Sequence, residues 1–256
     1  MLLVAIDAGN TNIVLGCLEG DKIRFTARVG TDRSKTEDEY ALIFRDLLNL
    51  HGVNISDVGG AIISSVVSEL KEVLKSAVEL STGKVPLMVG AGIKTGLNIK
   101  IDNPAQLGSD LAVDAVAACA KYKKPILIFD MGTATTLSVI DGKGQFRGGM
   151  IMAGPRLAVD ALSSRTSQLP RIELDAPAAV IGSNTVDCMQ AGAIYGNAAM
   201  LDGIIDRVEE ALGEPVGTAV ATGGMASRIT PYCRRNIICD DSLMLRGLQI
   251  IYEKNS

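Results

Sequence analysis

The chain has 256 residues, enough for one large domain or two smaller ones, and its 47% hydrophobic content supports a sizeable core. A net charge of −4 with no Lys/Arg block, only 4% aromatic residues and no Trp argue against nucleic acid as a partner. No apolar run approaches the roughly 20 residues that span a bilayer. The first strand reaches Asp7 without the basic start or cleavage site of a signal peptide, so a cytoplasmic protein with no membrane partner is expected.

In chain order, strands are expected at 2–7, 12–18 and 22–29, a meander broken at Gly9-Asn10 and Glu19-Gly20-Asp21. Thr36 and Glu39 have capping-box spacing, and Tyr40, Ile43, Phe44, Leu47 and Leu48 then recur at helical spacing. A strand at 60–67, a helix over 68–80, a strand at 85–90 and a loop over 91–104 follow. A helix is expected over 105–121. The second half opens with strands at 125–130, 134–140 and 145–152. Helices at 155–164, 184–211 and 225–235, a strand at 216–222 and a last helix at 241–253 complete the pattern. Strands followed by helices in both halves indicate a mixed α/β layer, built twice.

The five cysteines form no CxxC pair and are odd in number, which supports neither a disulfide framework nor a zinc site. Cys119 and Cys188 lie in apolar helical stretches and are expected in the core. His51, the single histidine, follows Leu50 and is expected at the surface or a helix end. Nothing near it resembles a nucleophile site.

The strongest motif occurs twice. Asp7-Ala8-Gly9-Asn10-Thr11-Asn12 and Asp130-Met131-Gly132-Thr133-Ala134-Thr135-Thr136 each follow an apolar run. Glycine lets backbone approach an anion, and exposed N–H groups, hydroxyls and amides can bind phosphate oxygens. The acid repels bare phosphate, so its natural task is to hold a bridging cation. One copy alone reads equally well as a hairpin turn; the repetition favours two half-domains facing one nucleotide.

Other segments stay open between structural and functional readings. Ala221-Thr222-Gly223-Gly224-Met225-Ala226 is a strand-to-helix turn or a backbone surface for adenosine. Gly108-Ser109-Asp110 opens a helix, where Asp110 is either a first-turn acid favoured by the helix dipole or a general base. Asp114, one turn on, is expected on a solvated face. Gly148–Pro155 allows close packing or a ligand approach. Ser183, Asn184 or Thr185 is an N-cap for the helix that follows. GxxxxGK[ST] and a strand-borne GxGxxG are absent, which disfavours P-loop and Rossmann readings.

Taken together, the segments DAGNTN, DNP…LGSD, DMGTATT, GGMIMAG, ALSSRTSQLP, IGSNTVDCMQAG, ATGGMA and LMLRGLQIIYEKN resemble the type III pantothenate kinases over nearly the whole chain. The resemblance implies an α/β fold of duplicated ribonuclease-H-like, actin-like ATPase domains. These would span 1–121 and 122–256, with the helix near 241–253 packing back on the first. It implies phosphorylation of pantothenate to 4′-phosphopantothenate, the first step of coenzyme A synthesis. Asp7, Ala8, Gly9, Asn10, Thr11, Asn12, Ile13 and Val14 would line the ATP phosphates, Asp7 acting through Mg²⁺. Thr133 would reach the phosphates from the second half, and Asp130 would hold a monovalent cation, K⁺ or NH₄⁺. Asp110 would be the base, Gly108, Ser109, Asp110 and Leu111 would hold the substrate, and Thr185 would complete the pocket from the partner subunit of a homodimer.

Two positions depart from the family pattern on the substrate side. Leu111 stands where an arginine would pair with the pantothenate carboxylate, a charge-assisted contact whose loss costs about 2 to 5 kcal/mol. Ile101 stands where a tyrosine is usual. A smaller departure places Ala153 where proline is frequent. These changes motivate two alternatives: a kinase acting on a less anionic alcohol, and a nucleotide-binding regulatory protein without kinase activity.

Overall fold

The computed structural model describes all 256 residues. In chain order its elements are β1 (Leu2–Ala8), β2 (Asn12–Glu19), β3 (Lys22–Gly30), α1 (Glu37–Leu50), β4 (Val58–Ser65), α2 (Lys71–Thr82), β5 (Leu87–Met88), β6 (Asn98–Ile99) and α3 (Ser109–Lys121). There follow β7 (Ile126–Met131), β8 (Ala134–Ile140), β9 (Gln145–Ala153), α4 (Pro155–Arg165), α5 (Thr185–Leu212), β10 (Thr218–Thr222), α6 (Ala226–Ile229), β11 (Ile237–Cys239) and α7 (Leu243–Asn255). The chain forms two compact units. One comprises Met1–Gly96, Asn103–Ala117 and Leu243–Ser256; the other comprises Leu97–Asp102 and Ala118–Ser242.

The first unit is built on a five-stranded sheet of order β3-β2-β1-β4-β5. β1 is apolar at successive positions because it is central, antiparallel to β2 and parallel to β4, with both faces covered. On one face Ile6, Ile13, Tyr40, Phe44 and Leu74 form the core with α1 and α2. α7 packs along β1 and β4, and Leu245 fills the space that a side chain at Gly16 would need. The capping box forms as expected: Glu39 donates its N–H to Thr36 Oγ1 at 3.4 Å, and Thr36 donates its N–H to Glu39 Oε2 at 2.8 Å.

The second unit repeats the plan. Its sheet has the order β11-β10-β7-β8-β9-β6. β9, β8 and β7 run antiparallel, and β10 and β11 continue parallel to β7, as β3, β2, β1, β4 and β5 do in the first unit. Both units therefore have the ribonuclease-H-like strand order, and β6 is an added edge strand beside β9. α5 supplies Leu201 and Ile205 to a core with Phe129, Ala221 and Ile229. No helix is long and apolar enough to cross a membrane.

Several local expectations are corrected. The loop 91–104 contains β6, whose two residues are too few to show a period. The helix expected from 105 starts only at Ser109. Asn103 caps a single 3₁₀ turn over Pro104–Gln106, and Leu107 is extended, which separates the turn from α3. The strand expected at 85–90 shrinks to β5, and α2 is preceded by a 3₁₀ turn at Ser68–Leu70. The helix expected over 225–235 breaks up. α6 ends at Ile229, Pro231 sits in a 3₁₀ turn, and β11 follows unannounced. Cys188 is exposed and Cys119 only half-buried, so neither is a core residue; Cys17 is. His51 caps the end of α1 and stacks on Phe25 with ring centres 4.1 Å apart.

Candidate active site

The first acid-tipped corner lies at the end of β1. Asp7 is half-buried, in register with Val14 on β2 and Ser64 on β4. Gly9 donates its N–H to Asn12 O at 2.9 Å, which closes the turn and leaves Asn10, Thr11 and Asn12 exposed. The corner is thus a hairpin turn in geometry and also a solvent-exposed rim of polar side chains. Ile13 is buried beneath it and Val14 is half-buried.

The same unit brings the start of α3 to this corner. Ser64 is fully buried and donates its hydroxyl to Ser109 Oγ at 3.2 Å. Asp110, the next residue, is half-buried, and its Oδ1 accepts the N–H of Leu111 at 2.8 Å. A Cβ on Gly108 would lie 2.5 Å from that carboxylate oxygen, so only glycine leaves room for this arrangement. Asp114 is 3% exposed, which corrects its expected place on a solvated face. One turn after Asp110, it shares the inward face of a helix buried from Ala112 to Ala118.

The second corner lies at the end of β7. Asp130 is half-buried, with Thr136 of β8 and Thr222 of β10 on either side in register. Gly132 and Thr133 are exposed at the turn, and Gly154 donates its N–H to Thr133 O at 3.1 Å. Gly223 follows β10 at φ +89, and a Cβ there would fall 2.5 Å from Asp130 Oδ1 and 2.8 Å from Met131 N. The glycine pair after β10 therefore closes tightly on the acid. Beyond it, Ser227, Arg228, Pro231 and Tyr232 line a cavity of about 250 Å³ together with Leu174 and Ile194. Within the Gly148–Pro155 segment, Gly149 serves packing, since a side chain there would meet Leu137 O at 1.6 Å.

The donor sets fit cations that arrive with phosphate better than a protein-built metal cage. No cluster of three His, Cys, Asp or Glu is placed to hold a metal. Mg²⁺ usually takes one or two carboxylates and completes its shell with phosphates and water, which suits Asp7 at a solvent-facing rim. At the second corner the hydroxyl oxygens of Thr135 and Thr136 are buried without a hydrogen-bond partner. Thr136 lies across the strand pair from Asp130, an oxygen-rich setting with spare acceptor capacity for a monovalent cation.

The remaining expected site residues are dispersed. Ile101 is half-buried beside Gly148, with its Cγ2 3.7 Å from where a Cβ on that glycine would lie. Thr185 is the exposed first residue of α5; the cap is Asn184, whose Oδ1 accepts the Asp187 N–H at 3.0 Å. Sequence reasoning missed Ser64, a serine in an apolar strand without motif context. It named Thr136 within the second motif but not its place opposite Asp130, which strand register alone reveals, and it missed Asp240. Asp240, after β11, accepts from Lys121 Nζ at 2.8 Å, Tyr122 Oη at 2.7 Å and Ser242 Oγ at 2.6 Å. Burial alone would raise its pKa, but these hydrogen bonds outweigh it and bring the carboxyl down to about 2.

Two like-built α/β units, each ending its first strand in an acid and a glycine turn, are the architecture of actin-like ATPases and related sugar kinases. The fold matches the activator of the 2-hydroxyisocaproyl-CoA dehydratase from Clostridium difficile with bound ADPNP. That match has a TM-score of 0.59 at 12% identity and covers 100% of this chain and 95% of that one. It also matches a ROK hexokinase from Thermus thermophilus, with a TM-score of 0.51 at 13% identity and 100% of both chains covered. The family model for type III pantothenate kinase matches residues 3–207. A type III pantothenate kinase from Exiguobacterium sp. is 43% identical over 254 residues, 99% of each chain. The chain belongs to the type III pantothenate kinase family.

Proposed function

We propose that the chain transfers the terminal phosphoryl group of Mg-ATP to pantothenate, giving 4′-phosphopantothenate and ADP in the cytoplasm. The observation that carries this reading is the full-length family match together with the tie from Ser64, beside Asp7, to Ser109, beside Asp110. The tie supports reading Asp7 as the acid that holds a cation and Asp110 as the base, both on one frame. Residues Asp7–Val14 and Thr133 would bind the phosphates through backbone N–H groups, hydroxyls and amides.

The reaction asks mainly for positioning and charge stabilisation. Gly108–Leu111 would hold the acceptor with its hydroxyl at Asp110. The carboxylate takes the proton as the hydroxyl oxygen bonds to the terminal phosphorus. The bond from phosphorus to the bridging oxygen breaks, and ADP leaves with the electron pair. Asp7 would hold Mg²⁺ together with the phosphates, and the ion would supply charge neutralisation on the transferred group. Asp130, with Thr136 opposite, would hold K⁺ or NH₄⁺.

A homodimer, with Thr185 reaching the partner's pocket, is part of this reading. It is supported by exposed apolar side chains near Thr185: Val180 at 65%, Ile181 at 86% and Val186 at 40% exposure. A second reading, a less anionic acceptor, is favoured by Leu111 and Ile101, both apolar and half-buried.

Mass-detected phosphorylation with Mg-ATP and K⁺ tests both. Pantothenate should yield a product heavier by one phosphoryl group. Turnover of pantetheine but not pantothenate supports the second reading, and ATP binding with no product from any acceptor overturns both.

A further inference from the structure

Arg33 stands at the Asp7 corner on a strap that the fold builds for it. Just after β3, Thr31 donates its N–H to Thr11 O at 3.0 Å and its hydroxyl to Gly9 O at 2.7 Å. Asp32 donates its N–H to Tyr40 Oη at 3.0 Å, and that hydroxyl donates to Asp32 O at 2.8 Å. Tyr40 is fully buried in the core, so the strap is anchored through an immobile side chain. The Asp32 carboxylate is used up locally: it accepts the Ser34 N–H at 3.0 Å and hydroxyl at 2.7 Å, and faces Lys35 at 3.4 Å. Between these anchors, Arg33 extends an exposed guanidinium whose Nη2 donates to Asn10 Oδ1 at 3.0 Å.

That bond occupies one of five N–H donors, and its acceptor is a neutral amide. No carboxylate lies within ion-pair distance of Arg33, whereas Arg24, Lys35 and Arg235 are each paired. A planar, permanently charged group with donors to spare is thus held against a turn of exposed polar groups. Such a group matches phosphate oxygens in geometry and charge.

We infer that Arg33 is a ligand of the nucleotide's polyphosphate, reaching it from outside the Asp7–Val14 turn, with Asn10 as its orienting partner and the Thr31–Lys35 strap as its mount. The inference rests on the reading of residues 7–14 as a phosphate site. It adds a cation to a corner that otherwise presents the Asp7 and Asp110 carboxylates.

Calorimetric titration of Mg-ATP and of adenosine into the intact protein, Arg33→Ala and Arg33→Lys tests it. Arg33→Ala should lose roughly tenfold or more in ATP affinity, as expected for a charge-assisted contact, and keep its affinity for adenosine and its melting temperature without ligand. Arg33→Lys should recover part of the loss. Equal ATP affinity in Arg33→Ala and the parent overturns the inference and leaves the phosphate site standing. Equal losses for ATP and adenosine, with a lowered melting temperature, mark a structural role and also overturn it. A parent protein that binds no ATP removes the phosphate site itself, and the inference with it.

Discussion

Ser64 and Ser109 are joined hydroxyl to hydroxyl at 3.2 Å across 45 residues of sequence. Ser64 sits in register with Asp7, and Ser109 precedes Asp110, so this bond, beside the one Ser109 donates to Ser65 O at 3.5 Å, ties the frame of Asp7, proposed above to hold a cation, to the frame of Asp110, the proposed base. Replacing Ser64 by Ala removes the donor and leaves Ser109 at the mouth of α3 without it. The expected outcome is a turnover number reduced about tenfold with ATP affinity nearly unchanged, because small misplacements of a base are costly while phosphate contacts are not touched. Steady-state kinetics with both substrates varied reads the split. An unchanged turnover number would show that α3 holds Asp110 without this tie.

Asp110→Asn keeps shape and removes the proposed proton acceptor. Turnover should fall by about 10²–10⁴-fold, the usual contribution of a positioned base. ATP binding should persist, and the loss should appear in a coupled ADP-release assay at saturating substrates. Parent-level activity would remove Asp110 from the chemistry.

Gly223 and Gly224 are neighbours with opposite expected tolerance. At Gly223 a methyl group meets Asp130 Oδ1 and Met131 N in a backbone of φ +89, whereas at Gly224 nothing lies within 4 Å. Gly223→Ala should lower stability by about 1–3 kcal/mol through strain and contact. Gly224→Ala should stay within about 0.5 kcal/mol of the parent. Denaturant unfolding of both variants checks the contrast, which disappears if the turn after β10 relaxes freely.

Asp240 makes an acid-range prediction. Its folded pKa of about 2 lies below the ordinary 3.8, so ionised Asp240 contributes stability that is fully present above about pH 4. That contribution, on the order of 2 kcal/mol, is lost as pH falls through the folded value. Asp240→Asn lacks it at every pH. The stability gap between parent and variant should therefore be constant from pH 7 to about pH 4 and narrow between about pH 4 and pH 2. Urea unfolding across that range measures it; a gap that does not change with pH would mean the carboxylate gains nothing from Lys121, Tyr122 and Ser242.

Much of the frame was readable from residue order. The apolar run into Asp7, the Thr36–Glu39 pair and the long period of α5 are local signals, and the elements follow them closely. The two acid-glycine corners could be recognised because the same residue types recur after a buried strand. What stayed hidden depends on distant partners. β6 and β11 have two and three residues and exist only because β9 and β10 offer an edge. Asp114 is inward and Cys188 outward because of how their helices are packed, which composition does not encode. Ser64, Arg33 and Thr136 gain meaning from register and through-space contacts alone.

The division of the chain has a consequence for engineering. The path of the backbone passes between the two units at 96/97, 102/103, 117/118 and 242/243, so neither unit is a continuous stretch of sequence. A cassette exchange with a homologue at a single splice point cannot hand over one unit whole and leave the other intact. A chimera that swaps one unit intact needs all four junctions, and its natural seams are Gly96, Asp102, Ala117 and Ser242.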